Sequence, residues 1–186
     1  ATIGASAFRG CAALTTVSLP AAATIGASAF YGCAALTTVS LPAATGIDDY
    51  AFRGCAALTT VSLPAATGIG GEAFQGCAAL TTVSLPAATT IGASAFADTG
   101  TGNLSVTLNA APPRLGTNMF ANVSGSRTVT VKRPSAADSV YGSGISGVRS
   151  ADAWADGFRG RGWNGMNVGS GTANTDISVA FADSDS

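Results

Sequence analysis

The sequence predicts a repeat solenoid, a right-handed stack of short coils whose parallel strands line up along one axis. Three observations carry that reading. Phe8, Phe30, Phe52, Phe74 and Phe96 stand 22 residues apart, and further columns keep the same step. Each unit holds a Thr-Val-Ser-Leu segment alternating polar and apolar residues, the period of a half-buried strand. A proline closes each unit at Pro20, Pro42, Pro64 and Pro86, where its missing N–H ends the strand.

The columns assign the parts of one coil. Val17 and Leu19 point inward from the first strand while Thr16 and Ser18 point out. The Ala-Phe-Arg-Gly-Cys stretch that follows on the opposite side reads as a short helical turn or an irregular segment, too short for an independent helix and broken by glycine. Stacking at about 4.8 Å, the strand spacing of a sheet, then makes continuous interior ladders. These are Ile3, Ile25, Ile47 and Ile69; Phe8, Phe30, Phe52 and Phe74; Cys11, Cys33, Cys55 and Cys77; and Leu14, Leu36, Leu58 and Leu80. No single coil buries such a set alone, so each depends on its neighbours.

Here the residues carry a resemblance. The order Ile-Gly-x-x-Ala-Phe-x-Gly-Cys-x-x-Leu-x-x-Val-x-Leu-Pro resembles the BspA-like, or Treponema-type, leucine-rich repeat of bacterial surface proteins, closely over residues 1–98 and loosely over 99–134. The unit is one residue shorter than is usual in that family, which should alter only a turn. The resemblance implies a leucine-rich-repeat β-solenoid in an exported, cell-surface protein of the adhesin type.

Past Phe96 the pattern decays. Leu104, Val106 and Leu108 alternate as a strand ended by Pro112 and Pro113, and Leu115-Gly116 through Phe120 echoes the start of a unit 24 residues downstream rather than 22. Val129 and Val131 make one more strand, ending near Pro134, so residues 99–134 read as a fifth and a sixth coil, both degenerate. Residues 135–186 change character: Trp154, the run Phe158 to Trp163, and the alternating Ile177, Val179 and Phe181 do not follow the repeat. This stretch resembles the module that often closes proteins of the same family, and a cap over the last apolar coil is what keeps a solenoid soluble. Ala1 begins within a unit, with no initiator Met or signal peptide, which suggests a mature or trimmed form of something longer.

Composition narrows the function classes. A net charge of −1 sets up no field to recruit nucleic acid or an anionic membrane, and no apolar run reaches the roughly 20 residues of a membrane-spanning helix. Charged residues make up 10% of the chain, with Glu72 the only glutamate and Lys132 the only lysine, so the surface is mostly Ala, Gly, Ser and Thr. There is no histidine, and no nucleophile elbow, P-loop, dinucleotide fingerprint or metalloprotease motif, so neither an enzyme nor a cofactor is expected. The four cysteines fall on one column with side chains parallel, which suits free thiols acting as small hydrophobes better than disulfides. Asp48, Asp49 and Glu72 occupy neighbouring positions of adjacent coils, yet three carboxylates fall short of a calcium shell, and solvation of a turn is the better reading. Arg159 and Arg161 beside Trp163 lack the wider basic field of a nucleic-acid site. Asn103 and Asn122 head formal glycosylation triplets.

The feature most relevant to binding is the strand face. Thr16, Ser18, Thr38, Ser40, Thr60, Ser62, Thr82 and Ser84 form two hydroxyl columns that repeat from coil to coil. Recognition of one particular protein uses local aromatic or arginine hot spots, so a uniform face favours a repetitive ligand, or none beyond water. Variation sits instead at positions 48–50 and 70–72 and in the column Arg9, Tyr31, Arg53, Gln75. The expected function is a non-enzymatic extracellular or cell-surface scaffold for adhesion or interaction, with proteins or glycans as partners. The alternative is a structural subunit that stacks head to tail on itself into filaments. An ice- or polysaccharide-binding solenoid is a lesser alternative, resting on the geometric likeness of a regular Thr lattice to ice-binding faces.

Overall fold

A computed structural model of the chain describes residues 1–100, 104–108, 114–116, 127–131, 166–168 and 177–181. Each coil contributes two strands. The longer ones are β2 (Thr16–Ser18), β4 (Thr38–Ser40), β6 (Thr60–Ser62), β8 (Thr82–Leu85), β10 (Leu104–Leu108) and β12 (Arg127–Val131). The shorter ones, two residues each, are β1 (Thr2–Ile3), β3 (Thr24–Ile25), β5 (Gly46–Ile47), β7 (Gly68–Ile69), β9 (Thr90–Ile91) and β11 (Arg114–Leu115). β13 (Met166–Val168) and β14 (Ile177–Phe181) complete the set.

Stacking turns the two strands per coil into two sheets. One runs β1-β3-β5-β7-β9-β11, all parallel, with isoleucine on isoleucine: Ile3↔Ile25, Ile47↔Ile69, Ile69↔Ile91. The other runs β2-β4-β6-β8-β10-β12 in parallel and continues into β14 and β13. β14 pairs antiparallel to β12, Val179 opposite Val129, so the chain reverses direction once the repeat has ended. The echo at Leu115 takes the place the period implies, with Leu115 paired to Ile91 in spite of the 24-residue step. The architecture is a parallel β-solenoid of about five turns.

No helix occurs among the described residues. The turn side is irregular because its amides are committed between coils. Phe8 N–H donates to Ala29 O at 2.7 Å, Phe30 N–H to Ala51 O at 2.8 Å, Phe52 N–H to Ala73 O at 2.8 Å and Phe74 N–H to Ala95 O at 2.9 Å. Donors used in this way cannot close helical turns, and the exchange pairs each of these amides with a carbonyl of the next coil. Gly10, Gly32, Gly54 and Gly76 turn the chain in the left-handed region, with φ of 70–73°, where glycine carries no steric penalty.

The core is one continuous rod. From the second coil on, Ile25, Phe30, Cys33, Leu36, Leu41 and their counterparts in the next coils are buried. The phenylalanines stack nearly face to face, with centroids 5.1–5.4 Å apart and planes within 6° of parallel. Two alanine columns are buried as well: Ala22, Ala44, Ala66 and Ala88 after each proline, and Ala29, Ala51, Ala73 and Ala95 before each phenylalanine. The expected interior ladders need one correction in the first coil. Phe8 is 38% exposed, Cys11 is exposed, and Ile3, Leu14 and Leu19 are half-buried, since among the described residues only coil 2 stacks on coil 1.

Candidate functional site

Two surfaces differ in kind. The first is the outer face of the longer-stranded sheet. Strand alternation turns Val17, Val39, Val61 and Val83 inward and leaves Thr16, Ser18, Thr38, Ser40, Thr60, Ser62 and Thr82 exposed, with Ser84 half-buried. Pairing holds the hydroxyls in register: Thr16↔Thr38, Thr38↔Thr60, Thr60↔Thr82, Ser18↔Ser40 and Ser62↔Ser84. A threonine one position earlier adds to this face. Thr37 Oγ1 donates to Thr15 O at 3.0 Å and Thr81 Oγ1 to Thr59 O at 3.2 Å, so these hydroxyls tie coil to coil. Thr45, Thr67 and Thr89 make the same bond at the entry to the shorter-stranded sheet. Sequence reasoning missed both columns as structural, although for the first of them the Thr-Thr doublet in every unit was the visible signal.

The second surface lies on the turn side and gathers every charged residue of the first 100: Arg9, Asp48, Asp49, Arg53, Glu72 and Asp98. Arg9 lies over one face of the Tyr31 ring at 4.9 Å, and Arg53 lies 5.8 Å from the same ring and 5.7 Å from Tyr50. The acidic group expected from positions 48, 49 and 72 divides. Glu72 pairs with Arg53 at 2.6 Å, while Asp49 Oδ1 accepts the Gly71 N–H at 2.6 Å. Gln75 Nε2 donates to Asp98 Oδ2 at 2.8 Å. Among the described residues no group of His, Cys, Asp and Glu has the arrangement to hold a metal ion. Beside Asp48 and Asp49, Gly46 and Gly68 leave a shallow open notch of about 410 Å³, bounded by Ala27 and Thr90.

The cysteine column is chemically quiet. Cys33, Cys55 and Cys77 are buried and unbridged. Each thiol donates to a phenylalanine carbonyl of the preceding coil: Cys33 to Phe8 O, Cys55 to Phe30 O and Cys77 to Phe52 O, at 3.1–3.3 Å. Burial pushes the Cys55 thiol up to about 12 and raises Cys33 and Cys77 as well, each further raised by the cysteine of the preceding coil. A thiol held protonated in this way is neither a nucleophile nor a metal ligand near neutral pH.

A family model described as the BspA type leucine-rich repeat region matches residues 1–133 in six copies. The chain belongs to that family. A solved leucine-rich repeat protein of T. pallidum is 31% identical, with a TM-score of 0.52, over 66% of this chain and 65% of that one. A leucine-rich cell surface protein of Faecalibacterium prausnitzii is 30% identical, with a TM-score of 0.54, over 72% of this chain and 37% of that one. This chain therefore spans just under two thirds of the first and little more than a third of the second. No curated protein matches it.

Within the BspA-type frame, the parts that vary from coil to coil are on the turn side and at the start of the shorter strands (Thr24, Gly46, Gly68, Thr90), and those that repeat are the longer-stranded sheet face and the core. Asn103, Asn122, Trp154, Phe158, Arg159, Arg161 and Trp163 lie outside the described residues. No helix among the described residues is long and apolar enough to cross a membrane.

Proposed function

We propose that this chain is a non-enzymatic interaction scaffold at a cell surface, and that its Thr/Ser sheet face is the contact surface for a repetitive ligand such as a glycan. The observation that carries the reading is the register of the hydroxyl columns on β2, β4, β6 and β8, which sets like groups beside like at one strand spacing, about 4.8 Å. On these four strands the face carries no charged side chain, and each hydroxyl can donate and accept, as a polyhydroxylated ligand requires. A surface location is supported by the BspA-type family and by the cell-surface neighbour from Faecalibacterium prausnitzii. Residues 135–186 are read as the closing module of the stack.

The test is binding of the purified full chain to a glycan array and to immobilised matrix proteins, beside a Thr60→Lys/Ser62→Lys variant. Both positions are exposed at the middle of the face. The reading expects glycan binding that the variant loses while its melting temperature holds. Absence of binding, or equal binding by the variant, overturns it. Ice-recrystallisation assays on the same samples decide whether the lattice is read by ice instead.

A second reading, end-to-end stacking of copies, is favoured by the interchangeability of the coils: every Phe–Phe step has nearly the same spacing and tilt. Electron microscopy of the purified chain tests it, since long fibres are expected and isolated short rods would end the idea.

A further inference from the structure

The hydroxyl columns of the longer-stranded sheet continue where other columns of the repeat stop. In the fifth coil the cysteine column has ended, with Thr99 standing 22 residues after Cys77. Leu108, which pairs with Leu85, is followed by Asn109 where Leu85 is followed by Pro86. The step along the chain also lengthens, to 23 residues from Thr82 to Ser105 and again from Ser105 to Thr128. The sheet absorbs the extra residue and keeps its register. Ser105 pairs with Thr82 and Thr107 with Ser84 on one side of β10, while Thr128 and Thr130 of β12 pair with Ser105 and Thr107 on the other. Ser105 and Thr107 are half-buried and alternate with the buried Leu104 and Val106, which keeps them on the outer side of the sheet. Both columns therefore hold Thr or Ser in each of the six longer strands. The first column ends at β14, whose Ala180 stands opposite Thr128.

From this continuity we infer that the contact surface is one lattice six strands long, running through Ser105 and Thr107 to the register positions of Thr128 and Thr130. Its ligand is an uncharged, linear polysaccharide lying along the solenoid axis, an inference that rests on the reading of this face as a glycan surface. Strand propensity favours Thr at a solvent-facing position but gives Ser no such advantage, and the turn side of the same coils takes Arg, Asp, Glu and Gln instead. The direction comes from the repeat. Along the axis each column offers the same kind of group again and again, whereas across one strand the groups change from Thr to Ser to Pro. Identical units of a ligand meet identical contacts only along the axis. From β2 to β12 that run is about 24 Å at the strand spacing. The absence of charge on the ligand comes from the columns, none of whose positions holds an ionisable residue. A carboxylate or sulfate pressed against them would lose water without meeting a cation. A sugar hydroxyl both donates to and accepts from Thr and Ser.

Calorimetric titration of the full chain with cello-, manno- and xylo-oligosaccharides, from disaccharide to octasaccharide, tests the inference. Oligogalacturonides of the same lengths serve as the acidic comparison. A Ser105→Ala/Thr107→Val variant removes two hydroxyls of β10 with little change in size, and Thr107→Ser keeps its hydroxyl as the control. Affinity for an uncharged series is expected to rise with length until the ligand spans about 24 Å, as added units engage further coils, and to exceed that of the acidic series. The double variant should lose about three- to tenfold in affinity for the octasaccharide, while Thr107→Ser binds as wild type does. No affinity for any of the three uncharged series, affinity already complete at the disaccharide, preference for the acidic series, or a double variant that binds as tightly as wild type overturns the inference. The glycan reading itself falls separately, when the array shows no binding or the Thr60→Lys/Ser62→Lys variant binds equally well.

Discussion

The Cys55 thiol donates a hydrogen bond to the carbonyl oxygen of Phe30 in the preceding coil, 3.2 Å away. That carbonyl also accepts the Cys33 N–H, so two coils meet at one oxygen. The cysteine column thus fills core volume and ties successive coils together, with no requirement for redox chemistry.

Thiol reactivity follows from this placement. Of the four cysteines only Cys11 is exposed. Titration of the native chain with a chromogenic disulfide reagent near pH 8 should show one thiol reacting promptly and three reacting only on unfolding. Prompt reaction of all four would mean that the coils open readily.

Stability should fall at alkaline pH. Cys55 is raised from 9.0 to about 12 in the fold, so above pH 9 the unfolded chain releases a proton that the folded chain retains. The contribution of this thiol is complete below pH 9 and is lost progressively up to about pH 12, with a slope approaching 1.4 kcal/mol per pH unit. Denaturant melts from pH 8 to 11 check it, and Cys55→Val should make the profile shallower while Cys33 and Cys77, raised in the same way, keep part of the slope.

Two glycine columns should respond differently to a side chain. A Cβ at Gly92 would fall on the backbone of Gly70 and Gly71, whereas at Gly68 its nearest neighbour is Thr90 Oγ1 at 3.6 Å. Asp48 occupies the same column as Gly92, so coils can open enough to admit a Cβ, and Gly92→Ala should cost about 1–3 kcal/mol rather than abolish folding. Gly68→Ala should be neutral or slightly stabilising. Thermal melts of the two variants give the comparison.

Backbone strain gives a prediction of opposite sign. Ser28 sits at φ 57°, in the column shared by Ser6, Tyr50, Glu72 and Ser94, all left-handed. Left-handed geometry costs a residue with a Cβ about 1–2 kcal/mol. Ser28→Gly should therefore stabilise by up to about 1 kcal/mol once the greater freedom of unfolded glycine is deducted, and Ser28→Val should destabilise. Unchanged melting in both would mean that the turn adapts without strain.

The phenylalanine stack should be the most sensitive core element. Phe52 is buried between Phe30 and Phe74 with centroids 5.1 and 5.4 Å away. Phe52→Ala should cost about 3–5 kcal/mol, and because each coil leans only on its neighbours, hydrogen exchange should rise first in coils 2 to 4. Uniform acceleration along the whole solenoid would indicate one cooperative unit instead.

Much of this was legible in the residues. The Phe, Ile, Cys and Leu columns, the inward Val and outward Thr/Ser of each longer strand, and the re-entry of the repeat at Leu115 all rest on spacing, and a side chain's spacing fixes which neighbour it meets once coils stack. The second sheet was not legible, since strands of two residues are too short to show alternation. Nor were the two alanine columns, because alanine is abundant on every side of the coil and its burial depends on how closely the walls approach. The irregular turns stood open against a helical alternative until the destination of their amides was known.

The amino-acid sequence by itself determined the coil: its length, its interior set, its strand and the proline that ends it, since these depend on local geometry and on periodicity. Only the tertiary structure decided which surface groups meet. That Glu72 goes to Arg53 rather than joining Asp48 and Asp49, and that Tyr31 is stacked between Arg9 and Arg53, depends on lateral offsets of a few ångströms between coils. Long side chains on a surface choose among several partners at nearly equal cost, and that choice is made by the assembled stack.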